Sequence, residues 1–145
     1  MYSIISLGHS EAQRVLQAVQ DELARREKAA VVAVADAHGE LIVLLRMDGA
    51  PLASIQIAAN KAWTAARERM PTLQLGQLAR HPQHGFDMAY YGDSRYVGWG
   101  GGVPVFLDGA VVGAIAVSGL SEEEDEQLAL QGLAVIPGAA GAPIE

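Results

Sequence analysis

Two pairs of strand-like runs, each closed by a tight turn, constrain this chain most. The first pair is Ala30–Ala35 (AVVAVA) and Glu40–Met47, joined by Asp36-Ala37-His38-Gly39. The second is Val103–Leu107 and Ala110–Ser118, joined by Asp108-Gly109. Asp-Gly is a strong two-residue hairpin signal, because both positions must adopt positive φ. Gly39 can do the same in the first turn. Hairpins need antiparallel pairing, so the sheet they build is antiparallel within each pair. Ala30–Ala35 is apolar at every position, which suits a strand covered on both faces.

Helices fill the intervals. Ser10 with Gln13 reads as a capping box, followed by Ala12, Val15, Leu16, Val19 and Leu23 on one apolar face. Pro51 suits the first turn of a second helix, which Pro71 ends near Met70. Ile55, Ala59, Ala62 and Ala66 give that helix a narrow small-residue stripe, fit to lie close against a sheet or a copy of itself. A short helix is expected around Leu73–Arg80. Ser121 with Glu124 forms a second capping box for a helix through Gln131, with Gly132 as its C-cap. The order α-ββ-α-loop-ββ-α defines an α+β domain with helices covering a central antiparallel sheet. One domain is expected over residues 1–136, with 137–145 as a flexible tail.

Composition narrows the function. With 145 residues and a net charge of −7, the chain has no cationic surplus for nucleic acid or an anionic membrane. It has no cysteine, which removes disulfides, thiolate metal sites and a cysteine nucleophile. The N-terminus lacks a basic segment followed by a long apolar core, and no apolar run approaches the ~20 residues of a membrane span. The expected location is the cytoplasm.

Residues 81–102 show no period, yet hold Phe86, Tyr90, Tyr91, Tyr96 and Trp99. Long irregular segments in compact domains are commonly functional. The segment runs into Gly98-Trp99-Gly100-Gly101-Gly102, which opens a strand. A dinucleotide fingerprint would have to open a helix. The glycines therefore read as a close backbone approach, with Gly100–Gly102 forming a wall of amides at a pocket rim.

Five motifs stand in one order: Val34–Gly39 (VADAHG), Leu45–Ala50 (LRMDGA), Asn60–Ala65 (NKAWTA), Gly101–Val105 (GGVPV) and Gly113–Asp125 (GAIAVSGLSEEED). Together they resemble the GlcG/HbpS family, which includes the C-terminal domain of PduO-type proteins, over roughly residues 3–135. The resemblance implies a profilin-like or PAS-like sandwich around a five-stranded antiparallel sheet, and a homo-oligomer. It also implies a small-molecule ligand, with haem as a possible cofactor. Two departures are visible: Ala116 stands where many members carry Gly, and Tyr90–Gly100 is longer and more aromatic than a minimal member needs.

The candidate site residues follow. Arg46 and Asp48 lie on one side of a strand end, either as a clamp for an anionic ligand or as a plain salt bridge. Lys61 lies about 120° from the small-residue stripe; it is either a solvated lysine or a ligand-facing one. Thr64 lies farther round and would reach a second subunit if that side is an interface. Trp99 could stack on a planar ligand, and Tyr90, Tyr91 and Tyr96 could do so or pack under the loop. Ser118, Glu122, Glu123, Glu124 and Asp125 cluster where the last strand meets the last helix, either as a site or as acidic residues favoured by the helix dipole. His9 is the candidate axial ligand for haem. His81 and His84 flank Pro82, which spoils their spacing for a metal, and no metal site is expected.

The leading expectation is a small-molecule-binding protein that holds haem or another planar anionic ligand beside Gly100–Gly102, Arg46 and Lys61. The alternative is a catabolic enzyme, an isomerase, tautomerase or hydratase, acting by proton transfer on a small unsaturated carboxylic acid. There Arg46 would anchor the acid, the glycine amides would hold an enolate, and Lys61, Tyr91 or Asp125 would move the proton. A third possibility is an oligomerising accessory protein without turnover.

Overall fold

The computed structural model describes residues 1–143. Four helices flank one antiparallel sheet: α1 (His9–Arg25), β1 (Val31–Asp36), β2 (Leu41–Arg46), α2 (Ser54–Glu68), α3 (Thr72–Ala79), β3 (Gly102–Leu107), β4 (Ala110–Ser118) and α4 (Glu122–Leu133). The strand order is β2-β1-β4-β3, so β1 and β4 are central. Both expected hairpins form, β1 with β2 and β3 with β4. Asp108 and Gly109 take φ of 51° and 80°, and Gly39 takes 88°, as the turn chemistry requires. Pro104 sits on β3, an edge strand, where its missing N–H is tolerated.

Four strands stand among the described residues where the family resemblance implies five. Two further segments touch the sheet but make single rungs. Leu7 donates to the Val112 carbonyl at 2.8 Å, and Ala140 exchanges both backbone bonds with Phe106 at 2.8 and 2.9 Å. Ala140 lies in the segment expected as a flexible tail; residues 144 and 145 of that segment lie outside the described residues.

The sheet separates two apolar layers. On one face Val32, Val34, Val105, Ile115 and Val117 pack against α1 and α4 through Val15, Val19, Leu23 and Leu128. On the other, Val31, Ala33, Ala35, Ala114 and Ala116 meet Ala58, Ala62, Ala65 and Ala66 of α2. The alanines on both partners let this helix lie close to the strands. Of the expected stripe, Ala62 and Ala66 pack on this sheet face with Ile55 beside them, joined by Ala58 and Ala65, while Ala59 is only half-buried and lies outside the cluster.

Local differences from expectation have local causes. The N-cap of α1 is Gly8, two residues before Ser10, and its N–H donates to Glu11 Oε2 at 3.2 Å; this replaces the Ser10–Gln13 box. Helix α2 begins at Ser54, three residues after Pro51. Gly132 lies inside α4, where a Cβ would stand 2.7 Å from Val19, so it permits close α1–α4 packing and is not a cap. Ser121 does cap α4, accepting from Glu124 N–H at 3.2 Å. The Glu124 carboxylate, however, turns away to Lys28 at 2.8 Å and Arg26 at 3.3 Å, pinning the α1–β1 linker to α4. Ser121→Ala should cost about 1 kcal/mol in urea denaturation; no change would mean the cap contributes nothing.

Candidate functional site

The site lies where β4 ends and α4 begins. After Ser118 the chain turns through Gly119, at a φ of 133°, into the capped start of α4. The turn aims Asp125, on the first turn of α4, back at the strand end, where Oδ1 accepts from Leu120 N–H at 3.1 Å. Lys61 reaches the same point from the middle of α2. Its Nζ lies 3.2 Å from Asp125 Oδ2 and donates to the Val117 carbonyl at 3.0 Å. The two side chains are 3% and 2% exposed. The third ammonium proton has no partner among the described residues.

A buried ion pair pays desolvation for both charges. Burial pushes the Lys61 ammonium below the usual lysine range, against the opposing pull of Asp125 and Glu122. Burial likewise pushes the Asp125 carboxyl up, against the pull of Lys61 and of the Leu120 and Gly119 amides. The proton affinities of amine and carboxylate are thereby drawn toward each other, which is the condition for a proton to move between them.

The glycine run passes directly over this pair. A Cβ on Gly101, whose φ is 132°, would lie 2.4 Å from the Val117 carbonyl and 2.7 Å from Lys61 Nζ. One on Gly102 would lie 2.5 Å from the Lys61 carbonyl. Close approach therefore explains the run. The amide wall does not: Gly100 N–H donates to Glu122 Oε2 at 2.9 Å and Gly102 N–H to Thr72 Oγ1 at 3.0 Å, so two of the three amides are already committed.

Beside the pair opens a cleft of about 660 Å³. Lys61, Asp125 and the Ser54–Ser118 hydroxyl pair, 3.2 Å apart, line it. Pro51, Ile57, Leu120 and the 60%-exposed Trp99 supply apolar surface, and Arg80 and Glu122 supply charge. Its size falls in the range of small-molecule sites.

Of the expected residues, Lys61, Trp99, Ser118 and Asp125 line this cleft, and Gly101 packs on the central pair. Arg46 and Asp48 do not line it. Both are exposed, at and just beyond the end of edge strand β2, and form no ion pair among the described residues. Thr64 is fully buried; it donates to the Arg95 carbonyl at 3.1 Å and accepts from Val97 N–H at 3.2 Å, fastening the irregular segment to α2. Tyr91 stacks on Tyr96 with centroids 3.9 Å apart and donates to Glu68 at 3.4 Å, away from the cleft. His9 is exposed at the start of α1.

Arg80, Ser54 and Thr72 were not singled out in the sequence. Arg80 stands one residue past α3, where it reads as an ordinary helix-end cation. Its Nη1 donates to the Gly98 carbonyl at 3.3 Å, which ties it to the stretch carrying Trp99. Gly76 makes this possible, since a Cβ there would lie 1.8 Å from that same carbonyl.

An α+β sandwich with helices on both faces of an antiparallel sheet, and a polar pair buried at one strand end, defines the class. The chain belongs to the HbpS-like family: the family model described as haem degrading protein HbpS-like matches residues 7–134. Protein GlcG of Escherichia coli K12 is 32% identical over 118 residues, covering 81% of this chain and 85% of that protein. The crystal structure of a PduOC:haem complex superposes with a TM-score of 0.87 at 27% identity, over 95% of this chain and 99% of that one. A double mutant of HbpS from Streptomyces reticuli superposes with a TM-score of 0.82 at 32% identity, over 94% of this chain and 90% of that one.

Proposed function

We propose that this protein binds a small planar organic anion in the cleft above Lys61 and Asp125. The observation that carries this reading is the buried pair itself, set at the base of a cleft whose rim offers Arg80 and Trp99. Arg80 can hold a carboxylate in its planar fork, and Trp99 can cover an unsaturated or aromatic body. The polar base then meets the far end of the ligand.

The haem-complexed relative makes haem the first ligand to weigh. The lining of this cleft does not fit it. No histidine, tyrosine or methionine lines the cleft, and the Lys61 amine is held by Asp125 and the Val117 carbonyl. Iron would find no axial ligand there.

A thermal-shift screen of unsaturated and aromatic carboxylic acids tests the reading. A binder should raise the melting temperature of the wild type. Arg80→Ala should weaken that binding about tenfold or more, the worth of a charge-assisted hydrogen bond. Equal shifts in both proteins would remove Arg80 from the site.

The second reading, proton-transfer catalysis on such an acid, is favoured by the opposed shifts of Lys61 and Asp125. It predicts deuterium incorporation from D2O at the carbon beside the carboxylate, followed by NMR. A bound acid that exchanges no carbon-bound hydrogen would leave the protein a binder. Assembly as a homo-oligomer belongs to the same proposal; exposed Leu52, Tyr90 and Trp99 support it, and light scattering reads it directly.

A further inference from the structure

The cleft above Lys61 and Asp125 does not end at Trp99. A second lobe of about 440 Å³ opens beside it, and the two share Ile57, Arg80 and Trp99 as common walls. Phe86, Met88, Tyr96 and Val97 supply apolar surface to this lobe. Apart from Arg80, the charged group lining it among the described residues is Asp87. The first cleft, by contrast, carries Lys61, Glu122, Asp125 and two serine hydroxyls. One side of Arg80 is therefore polar and the other apolar.

The irregular, aromatic segment builds this lobe. Gly85 lets the chain fold back on α3: a Cβ there would stand 2.3 Å from the Ala79 carbonyl, which accepts from Phe86 N–H at 3.0 Å. Asp87 caps a single turn of 3-10 helix, Met88–Tyr91, by accepting from Ala89 N–H at 2.9 Å. Met88 packs on Gly98, where a Cβ would lie 2.6 Å from its Cε. Behind them the rings of Phe86, Tyr91, Tyr96 and Trp63 touch in sequence, with centroids 6.1, 3.9 and 4.8 Å apart in turn. A cap, close backbone approaches and ring packing thus shape the wall before any ligand arrives, so a ligand does not have to order it.

We propose that the ligand of the first cleft is a 2-oxo or 2-hydroxy carboxylic acid with an aryl group on its third carbon, and that the aryl group sits in the second lobe. This rests on the reading of the first cleft given above and names its ligand class. An acid held at Arg80, between a polar and an apolar space, needs one arm of each kind on the carbon beside the carboxylate. The carboxylate pairs with Arg80, the cation common to both lobes. The oxygen on the second carbon faces the Ser54–Ser118 hydroxyls and the Lys61 amine, whose third proton has no partner among the described residues. The aryl group enters between Phe86, Met88 and Trp99, where ring and thioether contacts favour it. A second carboxylate in that lobe would meet Asp87 and no cation beyond Arg80, so dicarboxylates are disfavoured.

The test is a calorimetric titration of wild type, Ala79→Phe, Met88→Ala and Arg80→Ala with lactate, both enantiomers of 3-phenyllactate, and benzoate. Ala79, the last residue of α3, is half-buried and lines the second lobe, so a phenylalanine there has the lobe to grow into. In wild type the better enantiomer of 3-phenyllactate should bind about tenfold or more tightly than lactate, from burial of the ring. The other enantiomer should bind about fivefold more weakly, because three separate contacts fix the hand of the ligand. Ala79→Phe should abolish the advantage of the aryl acid and leave lactate unchanged, and Met88→Ala should reduce that advantage about threefold. Equal affinities for lactate and 3-phenyllactate, equal affinities for the two enantiomers, or an aryl advantage that survives both lobe variants would each overturn the inference. So would saturable binding by neither of these acids. Benzoate then reports on the first cleft alone: binding that Arg80→Ala weakens keeps that reading standing without the second lobe, and no binding removes it as well.

Discussion

Lys61→Met should destabilise the protein by about 3–5 kcal/mol near neutral pH, the cost of leaving a buried carboxylate without its counter-charge. The pair is almost wholly enclosed, so water cannot replace the lost ammonium. The loss should depend on pH in a defined direction. Burial already raises the Asp125 pKa above its unfolded value, and Lys61 is the main group pulling it down. Without Lys61 the folded pKa rises further. A carboxyl with a raised folded pKa is neutral and tolerated below its unfolded value, about 3.9 for aspartate. The penalty grows as pH rises from there and levels off above the folded pKa. Urea denaturation of wild type and Lys61→Met from pH 4 to pH 8 should therefore give diverging stabilities. Parallel curves would show that Asp125 is not enclosed as described. The double variant Lys61→Met/Asp125→Leu should recover most of the loss, because a buried pair is often replaceable by apolar groups of similar volume. It should recover no binding of carboxylic acids.

Gly101→Ala should be as damaging for a different reason. Its φ of 132° is a region that L side chains rarely adopt, and its Cβ would stand 2.4 Å from a central-strand carbonyl. Neither obstacle can move cheaply, since Val117 N–H also donates to the Gly101 carbonyl at 3.0 Å and locks the two segments together. Strain and overlap together are expected to cost about 3 kcal/mol or more. Gly109→Ala is the control: its φ is 80°, but no atom lies within 4 Å of an added Cβ. It should lose only about 1–2 kcal/mol, the cost of left-handed backbone. Equal losses at the two positions would mean that backbone conformation alone, not the approach to Lys61 and Val117, explains the glycine run.

These residues show what could be read in the sequence. The hairpins were legible because Asp108-Gly109 and Gly39 carry their conformational requirement in their own chemistry. The cap at Ser121 was legible for the same reason. The covered β1 strand was legible because no polar residue interrupts Val31–Ala35. Lys61 was ambiguous because a helical wheel knows only its own helix. At about 120° from the alanine stripe a lysine on a lone helix is solvated, but α2 is covered on a second side by the glycine run and by the segment fastened to Thr64. The run itself announced a close approach without saying to what; that the answer is Lys61 and Val117 is a property of contacts far apart in sequence. Arg46 and Asp48 lie elsewhere. They sit at the exposed end of an edge strand, and neither lines the cleft. Arg80 carried no signal, because its role depends on Gly76 admitting the Gly98 carbonyl.

The central claim is that the cleft above Lys61 and Asp125 is where a small organic anion binds. The most direct measurement is a 1H–15N NMR titration of wild type and Arg80→Ala with crotonate and benzoate. The account predicts saturable shifts at the Trp99 indole N–H and the Gly101 and Gly119 amides for the wild type, much reduced in Arg80→Ala. Shifts clustered elsewhere, or equal shifts in both proteins, would contradict it.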